Sequence, residues 1–161
     1  MHNKVKNEDE IVCEVYHHLK RHGKKVAMYV PFLSRCIDLV LQEEGKIISI
    51  EFKLHDWKRG IEQAKHHLLG VDESYICLPE REPSKTLIDT SKQNRIGLLL
   101  YVENKQNPLQ VEIQPKFSHQ KWIVAQKWLK KAFNQSLQGE ENEESQSLDK
   151  IRYTQRPKIY C

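Results

Sequence analysis

Ile47-Ile48-Ser49-Ile50-Glu51-Phe52-Lys53-Leu54 is an apolar run that carries two charges at alternate positions. The polar turn before it, Glu43-Glu44-Gly45-Lys46, and its β-branched content mark it as a strand. Successive strand side chains point to opposite faces, so Glu51 and Lys53 project together while Phe52 and Leu54 project to the other side. Apolar residues on both faces predict a central position in a sheet. Across the turn, residues 35–41 read as a second strand that forms a hairpin with the first and holds Asp38 inside Cys36-Ile37-Asp38-Leu39-Val40.

Working outward, residues 56–69 follow at once as a helix, with Asp56 as its N-cap and Trp57, Ile61, Ala64 and Leu68 as an apolar stripe that Gly70 ends. Residues 73–78 return as a strand stopped by Pro79. A helix between two strands is what a parallel crossover requires, so 47–78 is a βαβ unit. Upstream, Ile11, Val12, Val15, Tyr16 and Leu19 recur at helical spacing over 8–22, Gly23 stands where a helix stops, and 24–32 reads as a strand. Downstream come a helix within 83–94, a strongly apolar strand over 97–102 and a weaker one over 109–113 after Asn107-Pro108. A final amphipathic helix over 118–137 places Trp122, Ala125, Trp128, Leu129, Ala132 and Phe133 on one wide face. The fold class is α/β, a mixed central sheet flanked by helices and closed by a C-terminal amphipathic helix.

Two parts follow from composition. Residues 1–137 form the domain; residues 138–161 comprise a Gly-, Glu-, Asn-, Gln- and Ser-rich linker to Lys150, expected to be disordered, and a short basic, partly aromatic tail. A chain of 161 residues with net charge +4 suits one core-forming domain, and the basic excess falls in residues 1–137. This balance is compatible with a polyanionic partner. Cys13, Cys36, Cys77 and Cys161 make no C-x-x-C pair and no zinc-ligand spacing, which predicts reduced thiols and a cytoplasmic protein. No signal peptide and no membrane span is expected.

Charge within apolar strands needs a reason, because an ionised group taken from water costs several kcal/mol unless it is paired, hydrogen-bonded or metal-bound. Asp38 and Glu51 are the two carboxylates that would hold magnesium, a hard cation that takes oxygen ligands and keeps several waters, with manganese expected to substitute. Lys53, beside Glu51, is suited to orient or help deprotonate an attacking water. Taken alone, Asp followed by Glu-x-Lys also fits a surface strand with an ion pair; the apolar flanks, the hairpin and the crossover favour the functional reading. His17-His18 and His66-His67 lack a partner at ligand spacing and read as exposed helix residues. No Gly-rich phosphate loop is present.

Asp38, the triplet Glu51-Phe52-Lys53 and the following helix with Gln63-Ala64 together resemble the PD-(D/E)XK, or restriction-endonuclease-like, superfamily, from about Glu10 to Val102. Asp56-Trp57 through Gln63-Ala64 is similar to the helix start of its small uncharacterised members; Ile37 stands where the eponymous Pro would. The resemblance implies a metal-dependent endonuclease acting on DNA phosphodiester bonds, in repair, recombination or defence. It implies magnesium at Asp38 and Glu51, Lys53 as the catalytic lysine, Gln63 in support, and a Glu from the first helix. Glu8 lies in phase with the apolar stripe and Glu14 nearer the polar side; Glu10, thirteen residues before Gly23, is the preferred choice. Lys58, Arg59 and Lys65 are placed to contact DNA phosphates, or are simply the polar face of their helix. A homodimer is compatible with cutting two strands. The rival reading is a catalytically inactive DNA-binding subunit of a larger assembly.

Overall fold

Asn7 starts the first helix by accepting a hydrogen bond from the Glu10 N–H, while the Glu10 side chain accepts from the Asn7 N–H, a reciprocal capping box. The computed structural model describes residues 4–147. Helix α1 (Glu8–Arg21) is followed by β1 (Lys25–Phe32), β2 (Arg35–Glu43), β3 (Lys46–Phe52), α2 (Trp57–His67), β4 (Glu73–Pro79), α3 (Lys85–Gln93), β5 (Gly97–Tyr101), β6 (Leu109–Ile113) and α4 (Ile123–Ser147). The six strands form one mixed sheet in sequential order. Pairings β1/β2, β2/β3 and β5/β6 are antiparallel; β3/β4 and β4/β5 are parallel. The predicted βαβ unit is therefore present, with β3 inside the sheet.

Helices cover both faces. On one, Ile11, Val12, Val15 and Tyr16 of α1 meet Leu39, Leu41, Ile48, Ile50 and Phe52. On the other, Ile61 and Ala64 of α2, Leu68 at its C-cap, and Ala125, Leu129 and Phe133 of α4 meet Ile37, Val40, Ile47, Ile76 and Leu98. The alternation of β3 is thus resolved: 48, 50 and 52 face α1, and 47, 49 and 51 face α2. Burying a side chain such as Leu129 completely is worth about 1.5–3 kcal/mol, which secures α4 to the sheet. Two serines on the α2 side are satisfied in series, Ser49 Oγ to Ser74 Oγ and Ser74 Oγ to the Ala64 carbonyl, each at 2.9 Å.

The C-terminal helix departs from its prediction at both ends. It begins at Ile123 because Ser118 is engaged elsewhere, its Oγ donating to the Leu68 carbonyl at 2.8 Å and its N–H to the Asp72 carbonyl at 2.7 Å. It continues to Ser147, through residues 138–147 that composition assigns to a disordered linker. A docked helix adds one hydrogen bond per residue without a new nucleation cost, and Glu and Gln are good helix formers. Tyr16 Oη also donates to Glu140 at 2.7 Å. The rest of the expected linker and tail, 148–161, lies outside the described residues. Trp122 and Trp128, predicted on the buried face, are 53% and 72% exposed, because the stripe that docks is the narrower Ala125, Leu129, Phe133 row. Among the described residues no helix is long and apolar enough to cross a membrane.

Candidate active site

Ladder pairing between β2 and β3 runs from Glu43↔Lys46 to Leu39↔Ile50 and then stops. The next opposed positions are Asp38 and Glu51, and there side chains take over from the ladder. Phe52 N–H donates to Asp38 Oδ2 at 2.8 Å, and Asp38 N–H serves the Glu51 carboxyl. On the other side of β2, the pairing with β1 skips from Met28↔Leu39 to Val30↔Ile37. Tyr29, left between them, has φ +50°, a region that aromatic residues rarely occupy. Its hydroxyl, donating to Asp9 Oδ1 at 2.5 Å, holds it to α1. Two interrupted ladders thus open the sheet around Asp38.

Burial is the main force on both carboxyls, pushing each above the usual carboxylate range. Glu51, only 4% exposed, is raised further by the charge of Asp38, with which it shares a hydrogen bond. Asp38 is restrained by the Phe52 N–H and by Lys53, while Glu8 adds to its rise. Together they retain a proton near neutrality. Lys53 Nζ lies 4.0 Å from Glu51 Oε1, close enough to moderate this repulsion without quenching it.

Helix α2 lies over the pair. Gly60 faces the Lys53 stem, and a Cβ there would stand 2.9 Å from Lys53 Cγ, so glycine is what lets the lysine pass under the helix. One turn on, Gln63 is partly buried and its Oε1 is buried with no partner, so the amide is aimed inward. His67, read from sequence as exposed, is 4% exposed, with Nε2 3.8 Å from Glu51 Oε2. Burial first, then His66 and Arg35, bring its pKa down to about 3, so the ring is neutral and the contact is not an ion pair. His66 remains on the exposed side; His18, by contrast with its prediction, is buried, with 8% exposure.

Of the first-helix glutamates, the structure brings Glu8 to Asp38 and not the expected Glu10. Glu8 Oε1 accepts from the Leu54 N–H at 3.3 Å and acts electrostatically on Asp38. Glu10 is consumed by the capping box and lies 3.6 Å from Lys4. Glu14 is bound to Lys6 and the Tyr101 hydroxyl. Of the cationic candidates, Lys58 and Arg59 stand exposed in the first turn of α2, just past Lys53, with Lys58 Nζ 5.7 Å from the Trp57 ring. Lys65 points to solvent and reaches Glu62 at 3.4 Å, so it is not brought to the carboxylates.

Three of these residues had sequence signals. Asn7-x-x-Glu10 before an apolar run is a capping-box pattern, which assigns Glu10 to helix initiation. His67 follows Gln63 by four residues and Ala64 by three, placing it on the edge of the buried stripe. Gly60 inside a helix, about 1 kcal/mol worse than alanine there, signals a close approach but not to what.

The donor set suits a hard divalent cation. Glu51 Oε2 is buried with no hydrogen-bond partner, Asp38 supplies a second carboxylate, and all the oxygens are hard ligands. Among the described residues no group of three His, Cys, Asp or Glu side chains is disposed to hold a metal ion, so the remaining ligands of such a cation would be water or substrate.

No family model matches the chain, and no curated protein matches it. Among solved structures it is similar to the SPO1766 protein of unknown function from Silicibacter pomeroyi, with a TM-score of 0.61 at 17% identity over 90% of this chain and 92% of that one. It is also similar to AF1548, a protein of unknown function, with a TM-score of 0.46 at 17% identity over 57% of each chain. The first likeness supports a mixed α/β fold, here a six-stranded sheet flanked by four helices.

Proposed function

We propose that the protein is a metal-dependent deoxyribonuclease of the restriction-endonuclease-like class, hydrolysing phosphodiester bonds by attack of water. The observation that carries this reading is the pairing of the buried Glu51 with the partly buried Asp38 at the break between β2 and β3, with Lys53 beside it and an unpartnered Glu51 Oε2. Such a pair is costly to a protein that does not use it. Asp38 and Glu51 would hold magnesium, with manganese able to substitute, and a bound ion would supply Lewis-acid stabilisation of the charge that builds on the phosphoryl oxygens.

The chain's own groups account for the rest. Lys53 carries a positive charge at the same face as Glu51 and can hold the attacking water by hydrogen bond, then offset the developing phosphate charge. Gln63 Oε1, lacking a partner, can accept from that water. Glu8 restrains the Leu54 backbone after the lysine and adds negative potential beside Asp38. Lys58 and Arg59, exposed in the first turn of α2 just past Lys53, offer phosphate contacts that set position but not sequence.

Cleavage of labelled single-stranded, duplex and four-way-junction DNA, with magnesium, manganese or EDTA, tests this. Metal-dependent cutting by the native chain, abolished in Glu51→Ala and Lys53→Ala, is expected. Cutting that persists in EDTA or in Glu51→Ala would overturn it, as would a folded native chain that binds DNA but neither binds metal nor cuts.

A further inference from the structure

We propose that His67 is a positioning residue for Glu51: its Nε2–H donates to Oε2 and fixes the face that the carboxylate turns to a divalent cation. The proposal rests on the metal-dependent reading and extends it to the end of α2. His67 is the last residue of that helix, 4% exposed, with Nε2 3.8 Å from Glu51 Oε2. Glu51 Oε2 is buried without a hydrogen-bond partner, and so is His67 Nδ1. An imidazole is a costly filler in such a place, where leucine would occupy similar space with no polar atom to satisfy.

The unpartnered atoms select the tautomer. Burial keeps the ring neutral, with one N–H to place. Glu51 shares its own proton with Asp38 while Oε2 makes no hydrogen bond, so Oε2 is a bare acceptor. A proton on Nδ1 would be a buried donor with no partner, and the bare Nε2 would then face the bare Oε2, lone pair to lone pair. A proton on Nε2 points at Oε2 and leaves Nδ1 as an unpaired acceptor, the milder defect. A carboxylate oxygen has two lone-pair sites, so Oε2 can accept from His67 and still face a cation.

The ring sits on a rigid support. The His67 carbonyl accepts from the Gly70 and Val71 N–H groups at 2.9 and 3.0 Å, and the Phe32 ring stands edge-on with its centre 6.3 Å away. Held in this way, the imidazole can orient a carboxylate that is otherwise free to turn about its last bond. Hydrogen bonds that serve a reacting site are often long until the site is filled; from 3.8 Å this one has about 0.8 Å to close. Among the described residues no three His, Cys, Asp or Glu side chains are disposed to share an ion, so His67 acts through Glu51 and not as a ligand.

Calorimetric titration with manganese tests this in the native full chain, Glu51→Ala, His67→Leu, His67→Gln and His67→Asn, each checked for folding by its melting temperature in EDTA. Affinity should fall about 10- to 100-fold in His67→Leu. It should recover in His67→Gln, whose amide reaches the place of Nε2, and stay low in His67→Asn, whose amide reaches only that of Nδ1. If His67→Leu does not fold, the contrast between glutamine and asparagine decides. Nitrogen-15 NMR of the imidazole should place the proton on Nε2 in EDTA and still there with magnesium bound. A proton on Nδ1, or its loss from Nε2 on adding magnesium, which would make His67 a ligand, would overturn the proposal. Manganese binding that is lost in Glu51→Ala but native in His67→Leu or His67→Asn would sink this proposal alone; a native chain that binds no manganese would sink the metal-dependent reading and this proposal with it.

Discussion

Replacing Glu51 by glutamine should make the metal-free protein more stable at neutral pH while removing its response to divalent cations. In the folded chain Glu51 is held protonated by burial and by Asp38, whereas in the unfolded chain it ionises near its ordinary 4.5. Below that value both states carry the proton and the full stability is present. As pH rises, the unfolded state loses its proton first, and stability falls by about 1.4 kcal/mol per pH unit until the folded group ionises as well. Between 4.5 and 7 the loss is about 3 kcal/mol. Glutamine has the same shape, can donate to Asp38 as the protonated acid does, and carries no such penalty. Urea unfolding in EDTA between pH 5 and 8 should show a steeper decline for the native chain than for Glu51→Gln, with the variant ahead at pH 7. Magnesium or manganese should raise the melting temperature of the native protein and leave the variant unmoved. A variant destabilised by about 3 kcal/mol or more at pH 7 would refute the reasoning, since that is the signature of a charged structural partner whose loss strands Lys53.

Two further perturbations separate roles within the site. Gly60→Ala should gain about 1 kcal/mol of helix propensity and lose about 1–3 kcal/mol to the Lys53 stem, a net loss of at most about 2 kcal/mol that leaves the chain folded. Turnover should drop at least about 10-fold through displacement of Lys53, with manganese affinity intact; full turnover would show that Lys53 is not needed in place. Glu10→Ala should cost about 1 kcal/mol in thermal unfolding by loss of the capping box and leave cleavage unchanged. Glu8→Ala should do the reverse, lowering kcat with little change in melting temperature, and equal kcat values in the two variants would show that neither carboxylate serves the site.

Local pattern in the sequence determined most elements and the identity of the central carboxylates. Helix stripes, the Glu43 to Lys46 turn and the crossover are written in residues that neighbour one another in the chain, where periodicity and caps act. Asp38, Glu51 and Lys53 were legible for a different reason: charge in an apolar strand is anomalous wherever the strand lies. Tertiary structure alone decided what meets them. His67 and Gln63 are helical residues whose exposure depends on how α2 lies across the sheet, and Glu8 outranks Glu10 because α1 presents it to the end of β3 while the helix start consumes its rival. The same limit explains Trp122 and Trp128: an amphipathic pattern states how many apolar residues a helix offers, and only packing of α4 on β1 states how many it buries. Helix propagation beyond residue 137 was also decided in three dimensions, since a polar segment with little to bury becomes helical when an anchored helix precedes it.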